Sequence, residues 1–169
     1  LTRGSGNMLP RLKKMKNWSI LADMPVEIAI GKLSKMNVLK KPKSLRKMSI
    51  VVKNEIKKNN VYIQIKSTDS YSHKNKPLEK KRAIEEIDKC FIKNITDLKN
   101  TTIIITADHA SPCSLMSHSS DPVPFLIYSP NNNPKRQAEF SEKYAKKTGI
   151  KIHASKLLNI SSHNTKYFK

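Results

Sequence analysis

The sequence contains few glycines, few aromatic residues and few acids. Only four of its 169 residues are glycine and 6% are aromatic, while 33 Lys and Arg stand against 13 Asp and Glu. No run approaches the roughly 18 consecutive apolar residues of a membrane-spanning helix, and the first residues, LTRGSGNMLPRLKK, lack the apolar core of a signal peptide. The two cysteines, Cys90 and Cys113, form no CxxC pair and make no disulfide framework. We therefore expect a soluble, cytoplasmic protein with no membrane partner.

The excess of basic residues gives a formal net charge of +20 and an isoelectric point near 10.0. Such a charge favours contact with polyanions, which include nucleic acids and phosphorylated small molecules. The alternative is a lysine-rich composition in which Lys only solvates the surface. The aromatic residues are not interleaved with the basic ones, so any RNA contact would involve mainly phosphates rather than stacked bases.

The apolar pattern predicts strands that alternate with amphipathic helices. In the segment SLRKMSIVVKNEIKK, for example, Leu45, Met48, Val52 and Ile56 recur at helical spacing, and Ser44 is a suitable N-cap. The predicted strands cover residues 18–22, 37–40, 60–66, 101–106 and 123–129. The predicted helices cover residues 26–36, 44–58, 78 to about 98, and 136–147, with a turn at NNNP before the last helix and Gly149 after it.

This alternation is typical of an α/β fold with a mostly parallel sheet flanked by helices. The segment TTIIIT is apolar throughout, as expected of a central parallel strand that is covered on both faces. Ligands in such sheets bind beyond the carboxyl ends of the strands. We therefore expect the polar loops that follow Lys66 and Thr106 to lie side by side.

Those two loops contain two Asp and three His that could bind metal ions. Asp69 and His73 are in the first loop, and Asp108, His109 and His118 are in the second. Carboxylate oxygens and imidazole nitrogens are ligands that Mn²⁺ and Zn²⁺ prefer, and two metals about 3.5–4 Å apart can clamp a phosphoryl group during its transfer. Each residue also has an ordinary interpretation: Asp108 could cap a helix, and His118 could simply be exposed.

Three segments resemble one family. The stretches IIITADHASPCSLMSHSSDPVPFLIYSP, VYIQIKSTDSYSHKNKPLEKKRAIEEIDK and LTRGSGNMLPRL resemble the C-terminal core of the archaeal-type, cofactor-independent phosphoglycerate mutases. These enzymes are isomerases of glycolysis and gluconeogenesis in the alkaline phosphatase superfamily. The resemblance extends to about Ser129 and continues faintly through KTGIKIHASKLL. It implies an alkaline phosphatase-like core in this chain.

The resemblance also implies roles for particular residues. Asp69, His73 and His118 would hold one divalent metal ion, Mn or Zn, and Asp108 and His109 would belong to a second. Arg3 would contact the phosphate or carboxylate of phosphoglycerate.

The family's nucleophilic Ser, together with a further metal-binding Asp, lies near its N-terminus, before an inserted substrate domain. This chain begins at Leu1 rather than Met and matches neither region. The resemblance therefore implies a C-terminal part, one domain over residues 1–169, that is inactive alone and needs an N-terminal partner segment.

The sequence also departs from the family in ways that leave other functions open. The family's AGHDGD stretch becomes YSHKNK at residues 71–76, which removes glycines and acids beside the expected metal site. One alternative is a non-catalytic, basic homologue that binds RNA or the ribosome. Another keeps the fold but catalyses a phosphatase or phosphodiesterase reaction.

Overall fold

The structure is a computed structural model that describes residues 12–129 and 139–162. Arg3 and the expected turn at residues 131–134 lie outside the described residues. Contacts between residues divide the chain into two units. The first unit contains the described residues up to Ser70 together with Leu78–Thr96, and the second contains Tyr71–Pro77 and the described residues from Asp97 onward.

The first unit is built on a three-stranded parallel sheet. Its strands are β1 (Trp18–Leu21), β2 (Asn37–Val38) and β3 (Asn60–Ile63), in the order β2-β1-β3. Ser19 is opposite Asn37 of β2 on one side and Val61 of β3 on the other. Helices connect the parallel strands, as such pairing requires. The predicted α/β class with a parallel sheet flanked by helices is therefore confirmed.

Four helices accompany this sheet, and their bounds differ from the sequence-based expectation: α1 and α2 each end three residues earlier than predicted, and the other two differ more. They are α1 (Pro25–Leu33), α2 (Leu45–Glu55), α3 (Ser67–Ser72) and α4 (Pro77–Cys90). The segment after Lys66 was expected to be a polar loop, but its first six residues form α3. α4 ends at Cys90 rather than near Leu98, and a 3₁₀ turn at Ile92–Asn94 follows it. Phe91 and Ile95 remain buried beyond the end of the helix because the turn returns them to the core.

The face of α1 that packs on the sheet is not the one that its apolar spacing indicates. Val26, Ile30 and Leu33 share one helical face, yet their side chains are 63%, 47% and 51% exposed. Gly31 is buried instead, and a Cβ atom at this position would lie 2.8 Å from Cγ2 of Ile20. The helix therefore approaches β1 through a residue without a side chain, which a pattern of large apolar residues does not reveal.

A polar network also joins the elements of the first unit. Oε1 of Glu55, at the end of α2, accepts hydrogen bonds from Oγ of the fully buried Ser19 at 2.6 Å and from Nδ2 of Asn59 at 2.9 Å. Nδ2 of Asn37 lies 3.5 Å from the same oxygen. These donors, Ser19 first, lower the pKa of Glu55 below its ordinary value of 4.5. Apolar packing completes this core, through Ile20, Leu21, Ala22, Met48, Val52, Ala83, Phe91 and Ile95.

The second unit contains an antiparallel pair of strands. β4 (Ile103–Ile105) pairs with β5 (Leu126–Tyr128), and Ile104 lies opposite Ile127. The expectation that TTIIIT is a central parallel strand was wrong, since its three strand residues are only half-buried and pair antiparallel. A short apolar run predicts a strand, but it does not decide the direction of its partner.

The last helices of the described chain are α5 (Glu142–Thr148) and α6 (Leu157–Ser162). α5 begins after Ser141, whose Oγ accepts from the backbone N–H of Tyr144, and ends at Gly149 with φ 67°. The predicted end was right, but Glu139 and Phe140 are not helical, so the predicted start was too early. Cys90 and Cys113 are free thiols. No helix among the described residues has the length and apolarity needed to cross a lipid bilayer.

Candidate metal centre

The first pair of predicted ligands is held by α3. The helix begins at Ser67, directly after the segment that leaves β3, and His73 follows its last residue. Asp69 and His73 are therefore four residues apart, a spacing at which helical side chains point the same way. The backbone of α3 and the turn that directly follows it therefore set the spacing of the two ligands.

The other predicted ligands lie in the long connection between β4 and β5. An isolated antiparallel bridge between Ala110 and Ser119 closes this loop, and the N–H of Ser119 donates to the carbonyl oxygen of Ala110 at 2.9 Å. His109 and His118 adjoin the two ends of the bridge. Their imidazole rings stack with centroids 3.6 Å apart and an interplanar angle of 27°. The bridge thus brings together two histidines that are nine residues apart in sequence.

A backbone carbonyl sets the tautomer of His73. Its Nδ1–H donates to the carbonyl oxygen of Met116 at 3.0 Å, which leaves Nε2 as the unprotonated nitrogen of the neutral ring. Histidines that bind metals commonly donate their second ring N–H to such an acceptor. Nε2 of His73 lies 3.1 Å from Nε2 of His118. Two nitrogens that bind one tetrahedral zinc ion at about 2.0–2.1 Å lie roughly 3.3 Å apart, which is close to this separation.

Three side chains bring possible metal-ligand atoms close together. Asp69, His73 and His118 each contribute one atom, and these atoms lie within 4.8 Å of one another. Asp69 is half-buried and both histidines are exposed. One carboxylate and two imidazoles match the chemistry of a divalent transition metal such as Zn²⁺ or Mn²⁺. The donor set therefore fits a divalent cation.

Asp108 and His109 form a second, neighbouring pair. Oδ1 of Asp108 accepts from the backbone N–H of His109 at 3.0 Å, and its Oδ2 lies 3.3 Å from Nε2 of the same histidine. Nδ1 of His109 lies 3.0 Å from Oγ of the buried Ser111. The Asp108 side chain is 72% exposed and that of His109 is 30% exposed. The assignment of this pair to a second metal remains a prediction, as does the role of Arg3.

Sequence reasoning missed two supporting residues in this site. Met116 orients His73 through its carbonyl group and adopts φ 48°, a left-handed conformation that is uncommon for a residue other than glycine. Ser111 contacts His109 through its hydroxyl group. A serine two residues after a histidine is a weak sequence signal, and a contact made by a backbone carbonyl has no sequence signal at all.

Comparisons with known proteins identify the family of this chain. Residues 21–165 match the family model described as Metalloenzyme superfamily. A 2,3-bisphosphoglycerate-independent phosphoglycerate mutase of Metallosphaera sedula is 40% identical over 114 residues, which cover 63% of this chain and 27% of that protein. A protein of the same name from Methanoculleus marisnigri is 42% identical over 86 residues, which cover 51% of this chain and 21% of that protein.

A solved structure of the PH0037 protein from Pyrococcus horikoshii has a similar fold. It superimposes with a TM-score of 0.63 at 26% sequence identity, and the match covers 78% of this chain and 37% of that one. The described chain therefore has the fold of part of that larger protein. The present chain spans no more than about 27% of the length of these two curated relatives.

Proposed function

Because the chain belongs to the metalloenzyme superfamily, we propose that it is the metal-binding part of a cofactor-independent phosphoglycerate mutase. Such an enzyme interconverts 2- and 3-phosphoglycerate through a phosphoserine, and the serine would be supplied by a segment outside these 169 residues. The observation that carries the proposal is the convergence of ligand atoms from Asp69, His73 and His118 within 4.8 Å. The relatives named as mutases, at about 40% identity, support it.

In this proposal each residue of the site has a defined task. Asp69, His73 and His118 would hold one divalent ion, Mn or Zn, and Asp108 and His109 would belong to a second. Bound metal would supply positive charge that stabilises a transferring phosphoryl group and lowers the pKa of a coordinated hydroxyl. The carbonyl of Met116 would accept from Nδ1–H of His73, so that Nε2 of the neutral ring is the nitrogen that binds the ion, and the hydroxyl group of Ser111 would orient the ring of His109.

The first test is the metal content of the purified chain, followed by titration with Mn²⁺ and Zn²⁺. We expect His118→Ala to lower the affinity of the first site by more than about 100-fold, since the loss of outer-shell partners alone costs about 10–100-fold. Asp108→Ala should remove the second ion and leave the first. His153→Ala is the matched control, because His153 contacts Ser155 in another segment and should not change metal binding.

The second test is activity. The isolated chain should not interconvert the phosphoglycerates, because the proposed mechanism lacks its nucleophile here. Activity should return when the chain is joined to, or mixed with, an N-terminal segment that supplies the serine. Turnover by the isolated chain would contradict the proposal that the nucleophilic serine lies outside these 169 residues. Absence of metal binding would contradict the proposal that the chain is the metal-binding part of the enzyme.

The alternative function is binding to the phosphates of RNA. A groove in the first unit favours it, with a volume of about 440 Å³ and a lining of Arg46, Lys89 and Lys93 beside Ser49, Ile50 and Asn94. Electrostatic binding to RNA releases the counterions that surround its phosphates, so it weakens steeply as the salt concentration rises. Affinity for a short single-stranded RNA should therefore fall steeply between about 50 and 200 mM salt. Weak or absent binding at about 150 mM salt would exclude this function.

A further inference from the structure

A second cavity lies in the first unit, at the carboxyl ends of the parallel strands. Its volume is about 780 Å³, within the range of roughly 300–1,000 Å³ that is usual for small-molecule sites. Asp23 follows the end of β1, Lys66 follows β3, and Lys41 lies in the connection from β2 to α2. The cavity therefore occupies the edge of the sheet where ligands of open α/β folds bind.

The lining of this cavity has an excess of positive charge. Four basic side chains and two acidic ones face it, which leaves a net charge of +2. Among them, Lys41 and Asp23 form an ion pair, and the Lys41 side chain is only 10% exposed. The remaining charged groups are Lys43, Arg46, Lys66 and Glu86. The excess matches the charge of a phosphate ester, which is about −1.5 to −2 near neutral pH.

The positive charge of the Lys66 ammonium group is poorly compensated within this cavity. The hydrogen-bond acceptor of its Nζ among the described residues is the thioether sulfur of Met24, at 3.0 Å. A thioether is a weak acceptor, and a lysine ammonium group has three donors to satisfy. The side chain is also half-buried, so water compensates the charge only in part. A partly desolvated ammonium group of this kind is stabilised by an anion.

Helices supply the rest of the lining. α3 contributes Ser67 and Ser70, three residues apart and therefore on one face, while Asp69 lies on another face of the same helix. α2 begins at the cavity, where Ser44 caps it and Leu45 forms part of the wall. The positive end of this 11-residue helix adds to the favourable potential for an anion. No residue of the candidate metal group lines the cavity.

We propose that this basic cavity binds the phosphate group of a small phosphorylated molecule. Lys43, Arg46 and Lys66 would contact the phosphate oxygens, and the hydroxyl group of Ser67 would donate to them. The hydroxyl group of Ser70 donates to the carbonyl oxygen of Lys66 at 3.3 Å, so its oxygen would accept from a ligand hydroxyl group. Glu86 would accept a hydrogen bond from a ligand hydroxyl group. The site is separate from the metal ligands, so it does not require the proposed mutase activity.

The test is calorimetric titration of the full chain, stripped of divalent metals by a chelator, with inorganic phosphate and separately with 3-phosphoglycerate. Removal of metal ensures that a failure of the metal proposal does not affect the result. We expect both anions to bind, and Lys66→Met and Arg46→Gln each to weaken binding on the order of tenfold, the usual cost of a lost charged hydrogen bond. Tighter binding of 3-phosphoglycerate would indicate a phosphate ester as ligand, whereas equal affinities would indicate free phosphate.

Lys57→Gln is the matched control. It removes the same charge from an exposed lysine just past the end of α2 that does not line the cavity. If Lys66→Met fails to fold, Lys43→Gln replaces it, because Lys43 is exposed and its loss creates no buried gap.

Two results would overturn the proposal. One is the absence of phosphate binding at low salt. The other is an equal loss of affinity for the two anions in the cavity variants and in Lys57→Gln. If the first result is accompanied by binding of RNA, the basic groups act only as a polyanion surface.

Discussion

The two units of this chain stabilise themselves in different ways. All eight of the buried hydrophobic side chains among the described residues lie in the first unit, in β1, α2 and α4 and in the residues that follow β1 and α4. In the second unit the buried side chains of the described residues are those of two serines, Ser72 and Ser111. The candidate metal ligands lie on exposed or half-buried positions of α3 and of the second unit.

The buried apolar residues that stabilise the fold and the polar residues that could bind a metal therefore lie in different parts of the chain. The first unit contributes apolar burial, the dominant favourable term in folding. α3 and the loop between β4 and β5 place polar ligands at exposed or half-buried positions, where carboxylates and imidazoles remain available to a cation. A metal ion bound there would add stability that apolar packing does not supply, because ligand binding to the folded state alone stabilises it by mass action.

The largest expected effect tests the apolar unit. Leu21 is completely buried, and Leu21→Ala should lower the free energy of unfolding by about 3 kcal/mol through lost burial and the cavity left behind. Chemical denaturation monitored by circular dichroism measures this change. The metal affinity of the folded variant should stay at the wild-type value. A parallel loss of metal affinity would show that the two units are not separable in this way.

The next effect tests the metal-binding residues. Zn²⁺ or Mn²⁺ at about 100 times its dissociation constant should raise the free energy of unfolding by about 2.7 kcal/mol. His118→Ala should abolish this increase while leaving the stability of the metal-free chain almost unchanged, because His118 is exposed. Thermal unfolding with and without metal measures both quantities, and His153→Ala is the control that should retain the increase. A large loss of stability in metal-free His118→Ala would give this histidine a structural role instead.

A smaller effect tests the polar network of the first unit. Glu55→Ala removes the acceptor of the buried Ser19 hydroxyl, which should cost about 1–2 kcal/mol. Because the pKa of Glu55 is lower in the folded state, its contribution is complete above its ordinary pKa of 4.5 and is lost as the pH falls through the folded value.

Glu55→Gln keeps an acceptor oxygen but removes the titration. Unfolding measured from pH 7 down to pH 3 should therefore be less steep on the acidic side in this variant. Identical slopes in the variant and the wild type would show that other carboxylates govern acid unfolding.

The smallest effect tests the contact between α1 and β1. Gly31→Ala improves helix propensity by roughly 0.5–1 kcal/mol but places a methyl group against Ile20. The new Cβ would lie 2.8 Å from Cγ2 of Ile20, so the side chain or the helix must shift. We expect a net loss of about 1 kcal/mol, since overpacking usually costs 1–3 kcal/mol. A more stable variant would mean that Ile20 has room to move.

Much of the fold could be predicted from local patterns. β1, α2 and β3 were all expected, because alternating or helical apolar spacing is a property of a few adjacent residues. The N-cap role of Ser44 was also right, since its side chain accepts from the N–H of Lys47 at 3.5 Å. The exposed face of α1 could not be predicted, because it depends on how closely Gly31 approaches another element.

The sequence indicated which residues are candidate metal ligands, but it did not indicate the contacts that these residues make. The chain is poor in His and acids, so their concentration after β3 and β4 indicated metal chemistry from sequence alone. Their roles still await the metal titrations described above. The hydrogen bond from His73 to the carbonyl of Met116 and the stacking of His109 on His118 could not be inferred. These contacts depend on a loop whose ends are joined by the bridge between Ala110 and Ser119.

The sequence by itself determined the alternation of strands and helices, the strong positive charge and the identity of the candidate ligands. Each of these follows from residue type and short-range spacing. Only the tertiary structure decided the direction of β4, the buried face of α1 and the basic cavity formed by α2, α3 and the connections between them. Those features depend on which distant segments meet, and that choice is set by the packing and hydrogen bonding of the whole chain rather than by local preference.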